Sequence, residues 1–385
     1  MALSRALRSA HRYAGLLLAA VWMMQALTGA LLVFHWELDD WSVAGPAAPL
    51  DVPVLSQALA GYAARYPGHT VAAVYASGGE TGRFDVVLDR PDGSNDILRV
   101  DGRGTVLRLR PGDHDWLHIG PYQIATYLHQ TLFAGLVGQW LLGASGFVLL
   151  LNLAAGLKLA WPRGSWRQAL WPVAAMRTPT GRLWGLHRAL GLWLAVPAML
   201  IVALGVCLAF RGPLGELLGA GSHGPRAAAA AAIPAGMRPI TTADAIDTAF
   251  ARYPASSLAA VILPTAQSPW FEVQVRQRGE WRRQDGLTAV YVSSRDGRVL
   301  ADYNGETGPL PERMLDSLYA LHTGFAGGVA MRWGAVLLGI WLAVMISLGL
   351  LLWSTRRQAR KRRPDAARPA ASPRARKAGH AAHGP

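Results

Sequence analysis

Two stretches of this chain are copies of one another, and each opens a long apolar run with a histidine. His11-Arg12-Tyr13-Ala14-Gly15 leads into a run ending at Phe34-His35-Trp36. Gly185-Leu186-His187-Arg188-Ala189-Leu190-Gly191 leads into another ending at Phe210-Arg211. One offset places His11 on His187, Gly15 on Gly191, Gly29 on Gly205 and Phe34 on Phe210. Two further apolar runs match each other in the same way. Leu128-His129 falls on Leu321-His322, Gly135 on Gly328, Trp140 on Trp333, Gly146 on Gly339 and Gly156 on Gly349. The chain therefore reads as a tandem duplication, each half contributing two apolar helices with a polar segment between them.

The four runs occupy about 12–34, 132–159, 187–210 and 329–353. Each exceeds the roughly 20 apolar residues needed to cross a bilayer's hydrocarbon core, and none holds an Asp or Glu in its interior. Only 16% of the 385 residues are charged, against about a quarter in soluble domains. The composition thus points to an integral membrane protein. The first run follows Arg5, Arg8 and Arg12, as a secretory signal does, but it outlasts an h-region of about 7–15 residues. Its match to the third run implies that it is retained as a span.

Basic residues set the expected orientation. They precede the first run, fill the short connection between the second and third (Lys158, Arg163, Arg167, Arg177, Arg182) and follow the fourth from Arg356 to Arg363. The positive-inside rule places these segments in the cytoplasm and the two long connections outside. The basic tail carries much of the formal +14 charge, so the high charge does not indicate a nucleic-acid partner. The lone Cys207 excludes an internal disulfide.

The expected organisation is a span at 1–35, an outer domain at 36–128, a span at 129–160, a cytoplasmic loop at 161–186, a span at 187–211, a second outer domain at 212–321 containing an Ala/Gly-rich linker near 219–236, a span at 322–354, and a disordered basic tail at 355–385. Within the first outer segment, Pro53–Tyr66 has helical spacing. Alternating runs follow at Val71–Tyr75, Arg83–Leu88, Ile97–Val100 and Thr105–Leu109. The second repeats the plan: a helix at Thr242–Arg252 capped by Thr241 or Thr242, then strands at Leu258–Leu263, Trp270–Arg276, Thr288–Val292 and Arg298–Ala301. The fold class is a four-helix transmembrane bundle carrying two small α+β domains. Parallel repeats of this kind are related by an axis along the membrane normal.

That axis gives the histidines their meaning. His11 and His187 should share one depth near the inner face, and His129 and His322 another near the outer face. Opposed neutral imidazoles are what a six-coordinate haem iron requires, and helix bundles place such cofactors in their cores. Gly15, Gly191, Gly135 and Gly328 are candidates to let a macrocycle lie against the backbone, although small residues also serve helix packing. A single histidine at a membrane boundary is more often a hydrated interfacial residue. Four of them paired twice by an internal symmetry favour ligation. His35 ranks below them because its repeat partner is Arg211. Gln25, Thr28, Gln139, Ser145 and Asn152 suit helix–helix hydrogen bonds or propionate contacts. Trp36, Trp41, Trp116, Tyr122 and Tyr127 suit an aromatic belt at the interface; all but Trp41 are also candidates to line a substrate pocket.

Other chemistries find little support. His114 and His118 have the i, i+4 spacing of a zinc protease, but an Asp replaces the general-base Glu and no third ligand is evident. No dinucleotide or phosphate loop occurs. The absence of acidic residues within the spans argues against an ion-coupled permease.

His11-Arg-Tyr-Ala-Gly-Leu, Leu27-Thr-Gly, Trp161-Pro-Arg, Leu186-His-Arg-Ala-Leu-Gly-Leu, Leu321-His-Thr-Gly and Gly349-Leu-Leu-Leu-Trp353 occur in an order that resembles the PepSY-associated transmembrane family. Within it, the chain is most similar to the FoxB-type inner-membrane ferrisiderophore reductases. That resemblance implies PepSY-like periplasmic domains, two b-type haems on His11/His187 and His129/His322, and electron delivery to a ferric siderophore in the periplasm. The electron donor, a quinol or a cytoplasmic reductase, stays open. The alternative expectation is a membrane-anchored PepSY module that binds a peptidase or senses an envelope ligand without redox chemistry.

Overall fold

The computed structural model describes residues 2–79, 81–111, 120–171, 178–221, 239–281 and 286–361. Its chain order is helix, sheet, helix, then the same again. α1 (Ala2–Leu17) and α2 (Ala19–Leu32) lead to α3 (His35–Trp41) and α4 (Val52–Arg65). Strands β1 (Thr70–Ala76), β2 (Arg83–Asp89), β3 (Asn95–Asp101) and β4 (Val106–Pro111) follow. The half closes with α5 (Pro121–Gln130) and α6 (Gly135–Ala160). After a short α7 (Trp166–Leu170), the second half runs α8 (Pro179–Ala209), α9 (Arg211–Leu218) and α10 (Thr242–Arg252). It continues with β5 (Ser257–Ile262), β6 (Trp270–Arg276), β7 (Thr288–Ser293) and β8 (Val299–Tyr303), then α11 (Leu310–Thr323) and α12 (Gly328–Lys361).

Among the described residues three helices are long and apolar enough to cross a membrane: Gly135–Ala160, Pro179–Ala209 and Phe325–Ala359. A fourth span exists if Ser4–Leu17 and Ala19–Leu32, bent by 65° at Leu18, cross as one. The chain is a multi-pass membrane protein. The counterpart of the bent pair, α8, runs unbroken even through Pro197. No Pro or Gly occupies the break. The spans pack as a closed ring in which α6 lies along α8, α12 along both α8 and α2, and α1 against α6. Crossings between the halves use matched small residues. A Cβ on Gly146 would come within 2.9 Å of Val206, and one on Gly339 within 3.0 Å of the Ala30 side chain.

Several expected boundaries change. The spans expected from 129 and from 322 do not begin there: His129 and His322 lie on α5 and α11, short helices separated from the spans. At the first break Leu132 and Phe133 take φ of 50° and 59°; at the second Gly324 takes 86°. The last helix continues to Lys361, into the segment expected to be a disordered tail. Most of the Ala/Gly-rich linker and the rest of the tail lie outside the described residues.

The two outer domains also turn out not to be separate. Their strands form one antiparallel sheet of order β4-β3-β2-β1-β5-β6-β7-β8. At the seam Ala73 pairs with Ile262, Val74 with Val261 and Tyr75 with Ala260. The Tyr66-Pro67 and Tyr253-Pro254 landmarks make Val261 the repeat copy of Val74. The local twofold axis therefore passes between two copies of the same residue. Self-pairing solves an edge problem, because each isolated four-stranded sheet would expose an unpaired apolar strand.

Alternation along the strands sorts the two faces. Phe84, Val86, Leu88, Leu98 and Val100 point one way, as do Phe271, Val273 and Val275, and form one buried core with Leu55 and Leu59 of α4 and Ile246 of α10. The intervening Arg83, Asp85 and Arg99 point to the opposite face, where α3 docks. Arg99 Nε donates to Asp85 at 2.7 Å and its Nη atoms reach Asp40 and Asp39; Arg108 donates to Asp39 at 2.7 Å. Arg83 donates to the backbone oxygens of Asp40 and Gly45, both at 2.7 Å. Trp36 lies beneath Gly78, where any side chain would collide with its indole. Trp36 is thus packed between bundle and sheet rather than held in an interfacial belt, whereas Trp41 is 87% exposed.

Candidate cofactor site

The bundle brings the four repeat-paired histidines together in two pairs. The ring centroids of His11 and His187 are 6.2 Å apart, and those of His129 and His322 are 6.3 Å apart. The first pair joins α1 to α8 at the end far from the sheet. The second joins α5 to α11 at the end near it.

Each imidazole rests against a glycine of the other span in its own half. A Cβ on Gly29 would come within 2.8 Å of the His129 ring, one on Gly205 within 2.9 Å of His322, and one on Gly156 within 2.9 Å of His11. On Gly349 it would lie 3.6 Å from His187. These are not the expected glycines. Gly15 and Gly191 face Asn152 and Met345, while Gly135 and Gly328 open their helices with φ of 54° and 62° and touch nothing.

The glycine notch lets each ring reach the polypeptide behind it. His11 Nδ1 lies 3.0 Å from the Asn152 carbonyl oxygen and His322 Nδ1 2.9 Å from that of Ile201. Each carbonyl belongs to the residue four before the notch glycine. A carbonyl only accepts, so Nδ1 carries the proton and the Nε2 lone pair stays free. His129 uses Thr28 instead. Thr28 Oγ1 spends its proton on the Met24 carbonyl at 2.7 Å and so accepts from His129 Nδ1 at 3.0 Å. His187 is the loosest of the four: its buried Nδ1 turns to the Met345 carbonyl, again four residues before the notch glycine, without reaching full hydrogen-bond geometry.

This arrangement fits a metal held between two imidazoles. Imidazole nitrogens sit about 2.0–2.1 Å from a transition metal, and two trans ligands on one metal put their ring centroids roughly 6.3 Å apart. Both pairs meet that spacing, and anchoring of the distal ring nitrogen is the usual support for a ligating histidine. Among the described residues no group of three or more His, Cys, Asp or Glu converges. A multidentate metal centre in that part of the chain is therefore not indicated.

The remaining candidates separate from this core. His35 does not join a histidine pair; its Nδ1 lies 2.5 Å from the Leu32 carbonyl oxygen and its ring lies on Trp36 at 4.5 Å. Burial lowers its basicity, more than the opposing hydrogen bond to Leu32 raises it. The equivalent Arg211 pairs with Asp316 at 2.7 Å. Gln25 donates to the Leu128 carbonyl at 3.2 Å and Gln139 to that of Ala209 at 2.8 Å. The Ser145 carbonyl accepts from Trp22 at 3.3 Å. His114, Trp116 and His118 lie outside the described residues.

Three cations stand out whose place at the sites was missed in the sequence. Arg188, beside His187, covers Trp184 at 5.5 Å and donates to the Ala160 carbonyl at 3.0 Å; its repeat equivalent Arg12 covers Tyr13 at 4.5 Å. Their shared position one residue after each histidine was legible in the duplication. Arg332 was not, because its repeat partner is Gln139.

No curated protein matches the chain. The family model of the PepSY-associated TM region matches residues 8–356, taking in all four paired histidines and their glycine notches, and the chain belongs to that family.

Proposed function

We propose that this protein is a di-haem transmembrane electron conduit of the bacterial inner membrane that reduces a ferric siderophore in the periplasm. The observation that carries the reading is the double histidine pair, with ring centroids at 6.2 and 6.3 Å. His11 with His187 would hold one b-type haem and His129 with His322 the other. When bound, the two groups would supply one-electron transfer between the faces of the membrane.

The chain's own residues prepare for that chemistry. Backbone carbonyls and Thr28 hold Nδ1–H so that Nε2 points free. Glycine notches let the rings sit close to their neighbouring helices. Arg12 and Arg188 place positive charge beside the pair far from the sheet, which suits the anionic edge of a porphyrin. Positive-inside counting puts that pair on the cytoplasmic side and the sheet in the periplasm. A quinol or cytoplasmic reductase would give one electron to each Fe(III), and hard oxygen donors hold the resulting Fe(II) less tightly because its charge is lower.

The test is a reduced-minus-oxidised visible spectrum of purified protein with haem quantified per chain. Low-spin b-type bands at two haems per chain are expected, and His129→Ala and His187→Ala should each remove one. A well-folded preparation without haem would sink this reading.

A further inference from the structure

The duplication leaves one cavity without a counterpart of the same chemistry. It opens where the bundle meets the sheet, encloses about 220 Å³, and is lined by Arg276, Glu280, Trp281, Phe325, Val329 and Arg332, with Gly328. The repeat offset turns Arg332 into Gln139, Phe325 into Leu132 and Val329 into Leu136. The other half therefore offers no guanidinium and no aromatic ring at the same place on its span.

Arg332 is 3% exposed, and burying a guanidinium costs several kcal/mol unless it is fully satisfied. It is not. Nη1 and Nη2 donate to Glu37 at 2.5 and 2.7 Å, and Nη2 also donates to the Val33 carbonyl at 2.5 Å. Nε is buried with no partner. Gln139 makes the equivalent carbonyl bond, to Ala209, without any charge. Holding the helix end therefore does not require an arginine. An unsatisfied polar atom in such a place calls for an explanation beyond packing.

The other walls say what would suit it. Arg276 lies on the bundle-facing side of β6 and adds a second cation. Two acids are at hand and both are engaged: Glu280 accepts from Leu287 N at 2.7 Å and from Thr288 Oγ1 at 2.5 Å, and Glu37 takes the Nη edge of Arg332. Trp281 offers an indole that is 52% exposed, while the Phe325 ring is covered by the Arg332 guanidinium, 4.5 Å from its centroid, with Phe34 on the same cation at 4.2 Å. An orphaned guanidinium Nε, a second cation and an exposed indole match a flat ring bearing anionic oxygens. The volume admits one such ring and not a whole multi-arm chelate.

We propose that this cavity binds a planar anionic aryl ring bearing oxygen donors, a catecholate or aryl carboxylate, as one arm of the ferric chelate. The assignment to the chelate rests on the conduit reading; the ring site itself does not. Phe325 lies three residues beyond His322, across the break at Gly324, and contacts Trp36 at 5.5 Å, which places the cavity near the sheet-proximal pair.

The test uses the purified full chain, titrated with 2,3-dihydroxybenzoate, with its gallium(III) tris complex as a redox-inert mimic of the ferric chelate, and with neutral 1,2-dimethoxybenzene. Calorimetry should give saturable binding of the first two and none of the third. Arg276→Gln and Trp281→Ala, both outside the buried Arg332 contacts, should each weaken binding at least about tenfold while haem content stays unchanged. No saturable binding to folded protein, or equal binding by both variants, overturns the site. Binding of the free ring without the gallium complex overturns its assignment to the chelate. Ring binding by a haem-free preparation keeps the site and sinks only the conduit.

Discussion

At the residue scale, the histidine pairs were legible and the glycines behind their rings were not. His11 and Gly29 are 18 residues apart, as are His187 and Gly205. Eighteen residues make five turns of an α-helix, so in the unbroken α8 one face carries the histidine of one pair and the notch of the other, a spacing that the bend at Leu18 interrupts in the first half. Proximity in sequence pointed instead to Gly15, four residues from His11, which faces Asn152. The distinction is testable. Gly205→Ala puts a methyl 2.9 Å from the His322 ring, and should displace it and lower haem occupancy of that pair. Gly15→Ala meets only Asn152 at 3.8 Å and should leave the spectrum unchanged.

At the element scale, local signals set the helices and strands while charge pairing positioned α3. The Thr241 side chain and Asp244 form a reciprocal capping box at the start of α10, as the sequence there suggested. Nothing local announced that Asp39 and Asp40 of α3 would meet Arg83, Arg99 and Arg108 from three different strands. Truncating Arg99 removes the guanidinium held by Asp85 and one of the partners of Asp39 and Asp40, so Arg99→Ala should cost about 3 kcal/mol, measured by denaturant unfolding of detergent-solubilised protein. The same cluster predicts acid lability. Burial works against the Asp39 carboxylate, but the bonds and charge of Arg108 and the charges of Arg99 and Arg110 outweigh it and hold its carboxyl below 3.8. A lowered folded value means that its stabilisation is full above 3.8 and is lost as pH falls through that lower value. Tryptophan fluorescence, reporting Trp36 between bundle and sheet, should change in that acid window, and Asp39→Asn should flatten the transition.

At the scale of the whole molecule, two domains became one sheet. The seam joins Val74 to Val261, each 1% exposed. Val261→Pro removes a donor from a central strand that cannot spare one. Hydrogen exchange should then lose protection in β1 as well as β5, whereas two independent domains would confine the loss to the second half. The fused sheet also ties both halves to one axis, in keeping with each histidine pair joining a residue to its own repeat copy.

Duplication, span composition and helix periodicity are local or internal properties, so the sequence alone determined the membrane class, the repeat and which histidines would face one another. Strand alternation likewise showed where most strands lie. The β1–β5 seam, the bend at Leu18, the separate α5 and α11, the glycine notches and the Arg332 cavity were decided only by tertiary structure. Each depends on which surfaces meet across more than a hundred residues of chain or across the two halves. A one-dimensional pattern records which face of a helix or strand is apolar, but not the partner against which it is buried.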